Sequence, residues 1–308
     1  MDKQTLTNYL ALGPKLVLEP HFKTILDVIG KNLGAVDSDI REGSLDVLWD
    51  LIETDALDGE TCCALGNRMA VHLSHGLTQG EYCDDTVFLR TFSALILGVI
   101  VSHDERLYRL NGSGFLPRSL YVQWAKAAFH YVKTEYDYRS FIPDKGWAHA
   151  AAHTADLLRD FSYHRYSDAK LQISALEHIA FRLTQTDHDI FLHNDEHRLT
   201  RIVIIILYRQ TLALDFYQAW LDTLVKNVLA CLQSEPDMIQ RAVLKHNAMA
   251  FLEALFFTLT FGMKNIKDIP EYDTLPPLSD ALKAFINDSI KRLDAGLNYK
   301  TQRNRLPV

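Results

Sequence analysis

The chain is poor in residues that break helices and in residues that cross-link. Glycine occurs 14 times and proline 9 times in 308 residues. Few chain reversals and long uninterrupted segments follow, which favours helices. The four cysteines, Cys62, Cys63, Cys83 and Cys231, contain no C-x-x-C pair. Two adjacent thiols suit neither a disulfide framework nor a zinc site, so they read as reduced thiols of a cytosolic protein. Positive charge is also lacking: the formal net charge is −7, and no Lys/Arg run is long enough to track phosphates. General nucleic-acid binding is therefore not expected. No G-x-S-x-G, phosphate-binding glycine loop or dinucleotide fingerprint occurs, so no nucleophile is identified by spacing.

The N-terminus, MDKQTLTNYLALGPK, lacks an apolar core followed by a small-residue cleavage site, and no signal peptide is expected. The most apolar run read from the sequence, Ile202 to Leu207, is flanked by Arg201 and Arg209 and falls far short of the ~20 residues that span a bilayer. A soluble, cytoplasmic protein with no membrane partner is the expectation.

What is present is helical periodicity. With 48% hydrophobic and 23% charged residues, the composition is that of a folded globular chain rather than a disordered one. Apolar residues recur at helical spacing over 20–33, 38–55, 58–77, 86–104, 117–135, 146–161, 167–185, 195–213, 214–233, 237–262 and 276–296. Start signals stand at Asp37-Ser38, Asp58, Asn194-Asp195-Glu196 and Pro236-Asp237. Breaks fall at 111–114 and 142–146, and a long surface loop is expected over 263–277. The fold class is all-α: antiparallel helix pairs stacked in a HEAT/armadillo-like right-handed superhelix. The whole chain, 1–308, is expected to be one such domain, with the helices of 214–296 completing the stack.

One segment carries chemistry. Gly146-Trp147-Ala148-His149-Ala150-Ala151-Ala152-His153-Thr154-Ala155-Asp156 places His149, His153 and Asp156 at i, i+4 and i+7, one face of a helix, with Asp160 on the same stripe. Trp147, Leu158 and Phe161 gather on the other side and are expected to dock the helix. Solvated helix faces carry Lys, Glu and Gln, whereas alanine flanks this stripe, which suits the floor of a groove. Two histidines one turn apart chelate metals in H-E-x-x-H helices; here Ala150 replaces the glutamate, so the segment is not a zincin. With Asp156 or a distant carboxylate, the pair could still hold zinc, iron or manganese, and a divalent metal is the one cofactor the segment suggests.

Two further sets lie nearby in sequence. Arg139 and Lys145 could hold an anion at the helix N-terminus, although surface ion pairs across a turn explain them more simply. Asp195, Glu196 and Arg198 open the apolar helix 195–213. Arg198 requires a carboxylate partner, expected in the His149 helix, because an unpaired buried charge is costly.

The run Asp137-Tyr138-Arg139-Ser140-Phe141, then Lys145-Gly146-Trp147-Ala148-His149, Ala152-His153 and Ala155-Asp156, resembles the bacterial domain-of-unknown-function family 2785. That family's signature reads approximately D-x-R-G-[YF], then K-G-W-A-H-x-x-A-H-x-A-D. Asp195-Glu196-His197-Arg198-Leu199 is similar to its acidic E-D-E-R-L patch, and Arg90-Thr91-Phe92-Ser93-Ala94-Leu95 to its R-x-F-S-x-L run. The resemblance covers roughly 80–215. Ser140 and Thr154 stand where the family often has glycine, and His197 where acidic or small residues are common. The resemblance implies an all-helical, HEAT-like fold and no assigned activity, and it singles out His149, His153, Asp156 and Arg198. Two functions remain open: a binding or scaffold module whose Arg139, Lys145, Trp147, His149, His153, Asp156, Asp195, Glu196 and Arg198 line a groove for a small polar ligand or peptide, and a metal-assisted hydrolase with His149, His153 and Asp156 as ligands.

Overall fold

The computed structural model describes residues 1–77, 84–185, 190–191, 193–263 and 274–295. Among these the chain forms twelve α-helices and one two-stranded hairpin. Helix starts follow from local chemistry. The Asp37, Asp58 and Asp237 carboxylates accept from backbone amides of the first turn of α3 (Ser38–Glu53), α4 (Gly59–His72) and α11 (Met238–Phe261), filling donors that have no intrahelical acceptor. Asn194, expected to cap α9 (Asp195–Arg209), makes no side-chain cap bond and sits in the left-handed region at φ 62°.

Two compact units emerge: Met1–Ile179 with Leu192–Thr211, and Ala180–Phe191 with Leu212–Val308. In the first, α1 (Lys3–Leu12), α3, α5 (Thr86–Asn111), α7 (Ala150–Tyr163) and α9 pack each on the next but one. Of the helices between them, α2 (Phe22–Asn32) packs on α3, α4 on α5, and α6 (Arg118–Thr134) on α4 and α7. Helices α5 and α7 run in the same direction, since Thr91 meets His153 and Asp104 meets His164. They approach closely at Gly98, where an added Cβ would lie 2.8 Å from Asp160 Oδ2 and 3.4 Å from Leu157 Cα. In the second unit α10 (Leu214–Ser234), α11 and α12 (Ser279–Ala295) pack on one another.

Helix α5 is apolar along most of its length, and 83% of its most apolar window is buried. It and α11 are long and apolar enough to cross a membrane, so the 202–207 run is not the most apolar segment by that measure. The difference is one of length: 202–207 is an intense but short run inside a 15-residue helix. The expected loop over 263–277 falls largely outside the described residues, as does Cys83.

The helix expected over 146–161 begins later. Phe141–Ile142 and Gly146–Trp147 form an antiparallel hairpin, with Phe141 opposite Trp147 and Ile142 opposite Gly146. Asp144 (φ 64°) and Gly146 (φ 78°) turn the chain through the left-handed region, and an added Cβ on Gly146 would stand 2.9 Å from Ser38 Cβ. Only glycine satisfies both demands at once.

Candidate functional site: a buried histidine, arginine and carboxylate cluster

The hairpin is fixed before the cluster is built. Arg41 of α3 is fully buried. Its guanidinium donates to the backbone carbonyls of Ala35, Val36, Lys145 and Trp147 and lies 3.9 Å above the Phe88 ring. Four carbonyl dipoles and a ring face replace the water that this cation loses. Ser140 O then accepts from Ala148 N and His149 N. Ile142, Ala148 and Ala150 pack with Val87 and Phe88. Ala148 and Ala150 therefore admit Val87 and Phe88 of helix α5.

His149 is not a helical residue. It precedes α7 at φ 53°, ψ 29° and makes no side-chain cap bond. A left-handed non-glycine residue is strained by on the order of 1 kcal/mol or more, and here the turn carries the imidazole out of helical register. The ring stacks flat on Trp147, 4.5 Å between centroids and 0° between planes. Trp147 lies in the hairpin, outside α7, and not on the helix beside Leu158 and Phe161 as the helical wheel had suggested. His193 also meets the indole, in a T-shaped contact at 4.5 Å. The His149 and His153 rings are neighbours, 5.0 Å apart, and His153 N donates to the His149 carbonyl at 2.8 Å.

His153 is buried against Phe92, 5.1 Å away in a T-shaped contact. Its Nδ1 lies 3.2 Å from the Thr91 carbonyl oxygen. A carbonyl only accepts, so Nδ1 carries the proton and Nε2 is the ring's acceptor. Burial holds the His149 pKa down to about 4, with the Arg198 and His193 charges adding to the shift. Burial first, then His149 and Arg198, holds His153 well below the ordinary histidine range. Both rings are neutral at neutral pH.

Below them runs a chain of alternating charge. Arg198 donates to Asp156 Oδ2, so the acid partner expected for it lies on the helix anticipated. Arg159 donates to Asp156 Oδ1 at 2.8 Å and to both oxygens of buried Asp160, at 2.8 and 2.9 Å. Asp160 sits at the α5–α7 crossing, and burial raises its pKa despite Arg159.

The remaining predicted residues disperse. Arg139 forks onto Asp137 at 2.8 Å and 2.5 Å and also reaches the Asp84 carbonyl. Lys145 pairs with Asp85 at 2.7 Å. Arg139 thus pairs with an acid close in sequence, and Lys145 with one 60 residues away. Asp195 is buried at the start of α9, and Glu196 Oε1 lies 3.8 Å from His197 Nε2. Among the described residues no group of three or more His, Cys, Asp or Glu side chains is placed to hold a metal ion. Asp156, expected as the third ligand, has both oxygens occupied by guanidiniums. A recess of about 370 Å³ between α4 and α6 is lined by Asn67, Ala70, Val71, Leu120, Gln123 and Ala127, none of which belongs to the cluster.

Sequence reasoning missed Arg41 and Arg159, each an arginine among ordinary helical neighbours. It also missed two other buried networks. Arg90 forks onto Glu135 through Nε and Nη2 at 2.6 and 3.0 Å. Asp104 accepts from His164 Nε2 (2.9 Å), Leu116 N (2.7 Å) and Arg165 Nη1 (2.7 Å).

These features define an all-helical protein whose strained loop delivers a neutral imidazole onto an indole beside a guanidinium–carboxylate chain. The model of the family described as Protein of unknown function (DUF2785) matches residues 73–257, more than half of the chain, and the protein belongs to that family. The match reaches beyond the 80–215 read from motifs, through α10 and most of α11. No curated protein and no solved structure matches the chain.

Proposed function

We propose that this protein is a soluble, cytoplasmic helical binding module that recognises a small polar ligand or peptide at the cluster around His149, His153, Asp156 and Arg198. The observation that carries the reading is His149. It is held in a strained left-handed conformation, gives no cap bond in return, and stacks its neutral ring on Trp147. Strain of this kind persists only where the surroundings impose it, and it concentrates at functional sites. Beside it, Arg198 keeps 38% of its side chain exposed, with its guanidinium oriented by the bond to Asp156. An aromatic platform, a ring acceptor and an oriented cation are the elements that fix a polar ligand.

The next-but-one packing of the odd-numbered helices, with the even-numbered ones packed on them, supports a HEAT/armadillo-like stack in the first unit. The free thiols of Cys62, Cys63 and Cys231 and the buried apolar window of α5 fit a reducing, aqueous compartment. Histidine-selective NMR, run against a panel of small carboxylates, phosphates and short peptides at millimolar concentration, tests the reading. Binding that shifts the His149 and His153 resonances and is lost in Arg198→Ala is the expected result. A panel that moves neither ring, or that binds equally to Arg198→Ala, would overturn it.

A further inference from the structure

Helix α11 is apolar on more than one side. Leu244, Ala248, Phe251, Leu255 and Leu259 are buried. A helix apolar all round is normally covered all round, yet the opposite face is open: Ile239 is 71% exposed, Phe257 55% and Phe261 69%. Ala242, His246 and Glu253 are exposed on the same stripe, at three- and four-residue spacing.

This stripe is complementary to itself. His246 and Glu253 stand equally far from the midpoint between Met249 and Ala250. When two such helices cross antiparallel about a twofold axis at that midpoint, each residue meets the one equally distant on the other side. His246 of one copy faces Glu253 of the other, and the pair occurs twice. Small Ala242 faces large Phe257, also twice, and Ile239 faces Thr260. An imidazole N–H donor meets a carboxylate acceptor and bulk meets space, which is the condition for an isologous interface. At 1.5 Å per residue the 24-residue helix offers a seam about 36 Å long.

We propose that the open face of α11 is a homodimer interface, occupied by α11 of a second copy in antiparallel orientation. Sedimentation velocity on the full chain tests this with His246→Glu, Glu253→Lys and the double swap. The wild type is expected to dimerise. His246→Glu sets carboxylate against carboxylate and Glu253→Lys removes the acceptor that His246 faces, and each should weaken the dimer about tenfold or more. The double swap, which sets a carboxylate opposite an ammonium, should recover most of the loss. Ala242→Glu, opposite Phe257, is a second disruption independent of the His246–Glu253 pairs. All these positions are exposed, and far-UV circular dichroism confirms that the variants fold. A wild type that is monomeric at every concentration, or a double swap as impaired as the singles, would overturn the proposal. So would a monomeric chain that floats with phosphatidylcholine vesicles, since a lipid surface would then cover the face.

Discussion

Removal of Arg198 has a cost that the α7–α9 charge chain fixes in advance. The Asp156 side chain is 2% exposed and bonds two guanidiniums, Arg198 and Arg159. In Arg198→Ala the carboxylate keeps Arg159, and the lost partner was itself 38% exposed. The change therefore removes one partly screened charged hydrogen bond, worth about 1–1.5 kcal/mol. Asp156→Ala removes the acceptor that both arginines share. Arg159 retains Asp160 at 2.8 and 2.9 Å, and Arg198 turns to water, so neither cation is stranded. The loss is then about 2–3 kcal/mol. In the double variant the arginine change should add little, leaving a coupling of about 1 kcal/mol. Urea unfolding at neutral pH and low salt, followed by circular dichroism, gives all three values. An Arg198→Ala cost of 3–5 kcal/mol, the size seen when a buried charge loses its sole partner, would refute the shared-acceptor arrangement, as would a coupling of zero.

Three other outcomes are expected. Burial keeps the folded-state pKa of His149 and His72 at about 4, and that of His153 well below the ordinary value. Protonation therefore favours the unfolded chain, and the stability is fully present above about pH 6.5. It falls as pH drops toward 4, by up to about 1.4 kcal/mol per pH unit for each such ring. Unfolding free energies across that window should show a shallower slope in His149→Gln, and an unchanged slope would contradict the burial of the ring. Gly98→Ala forces a methyl against Asp160 and the Leu157 backbone, and overpacking of about 1–3 kcal/mol should lower Tm by roughly 3–10 °C; a higher Tm, from better helix propensity alone, would show that α5 and α7 are not in contact there. Asp104→Ala strands His164, whose side chain is 0% exposed, along with Leu116 N. It should cost about 3–5 kcal/mol, more than Asp156→Ala; the reverse order in urea titrations would count against the network.

Helix positions were readable because each depends on local periodicity and on capping residues next in sequence. The eleven periodic segments all correspond to helices, with ends shifted by a few residues; α1 and the short 3-10 turn at Gly13–Leu18 lacked enough periodicity to register. The failure at 146–149 has a local cause. Alanine-rich spacing satisfies a helical wheel, but Arg41, more than a hundred residues away in sequence, binds the Lys145 and Trp147 carbonyls and pulls that stretch into a hairpin. Periodicity carries no trace of such a tertiary override. The Arg198–Asp156 pairing was legible because a guanidinium on an apolar helix must find an acid. The second cation on the same acid, Arg159, was not, since an arginine three residues from an aspartate on a helix is commonplace.

Arg41 also sets a boundary on what can be cut away. The family match begins at residue 73, yet the clamp on the Trp147 loop comes from α3, upstream of it. A polypeptide trimmed to the matched segment would keep every imidazole and lose the hand that sets them, and newly synthesised chain cannot lock this loop until its earliest helices have docked.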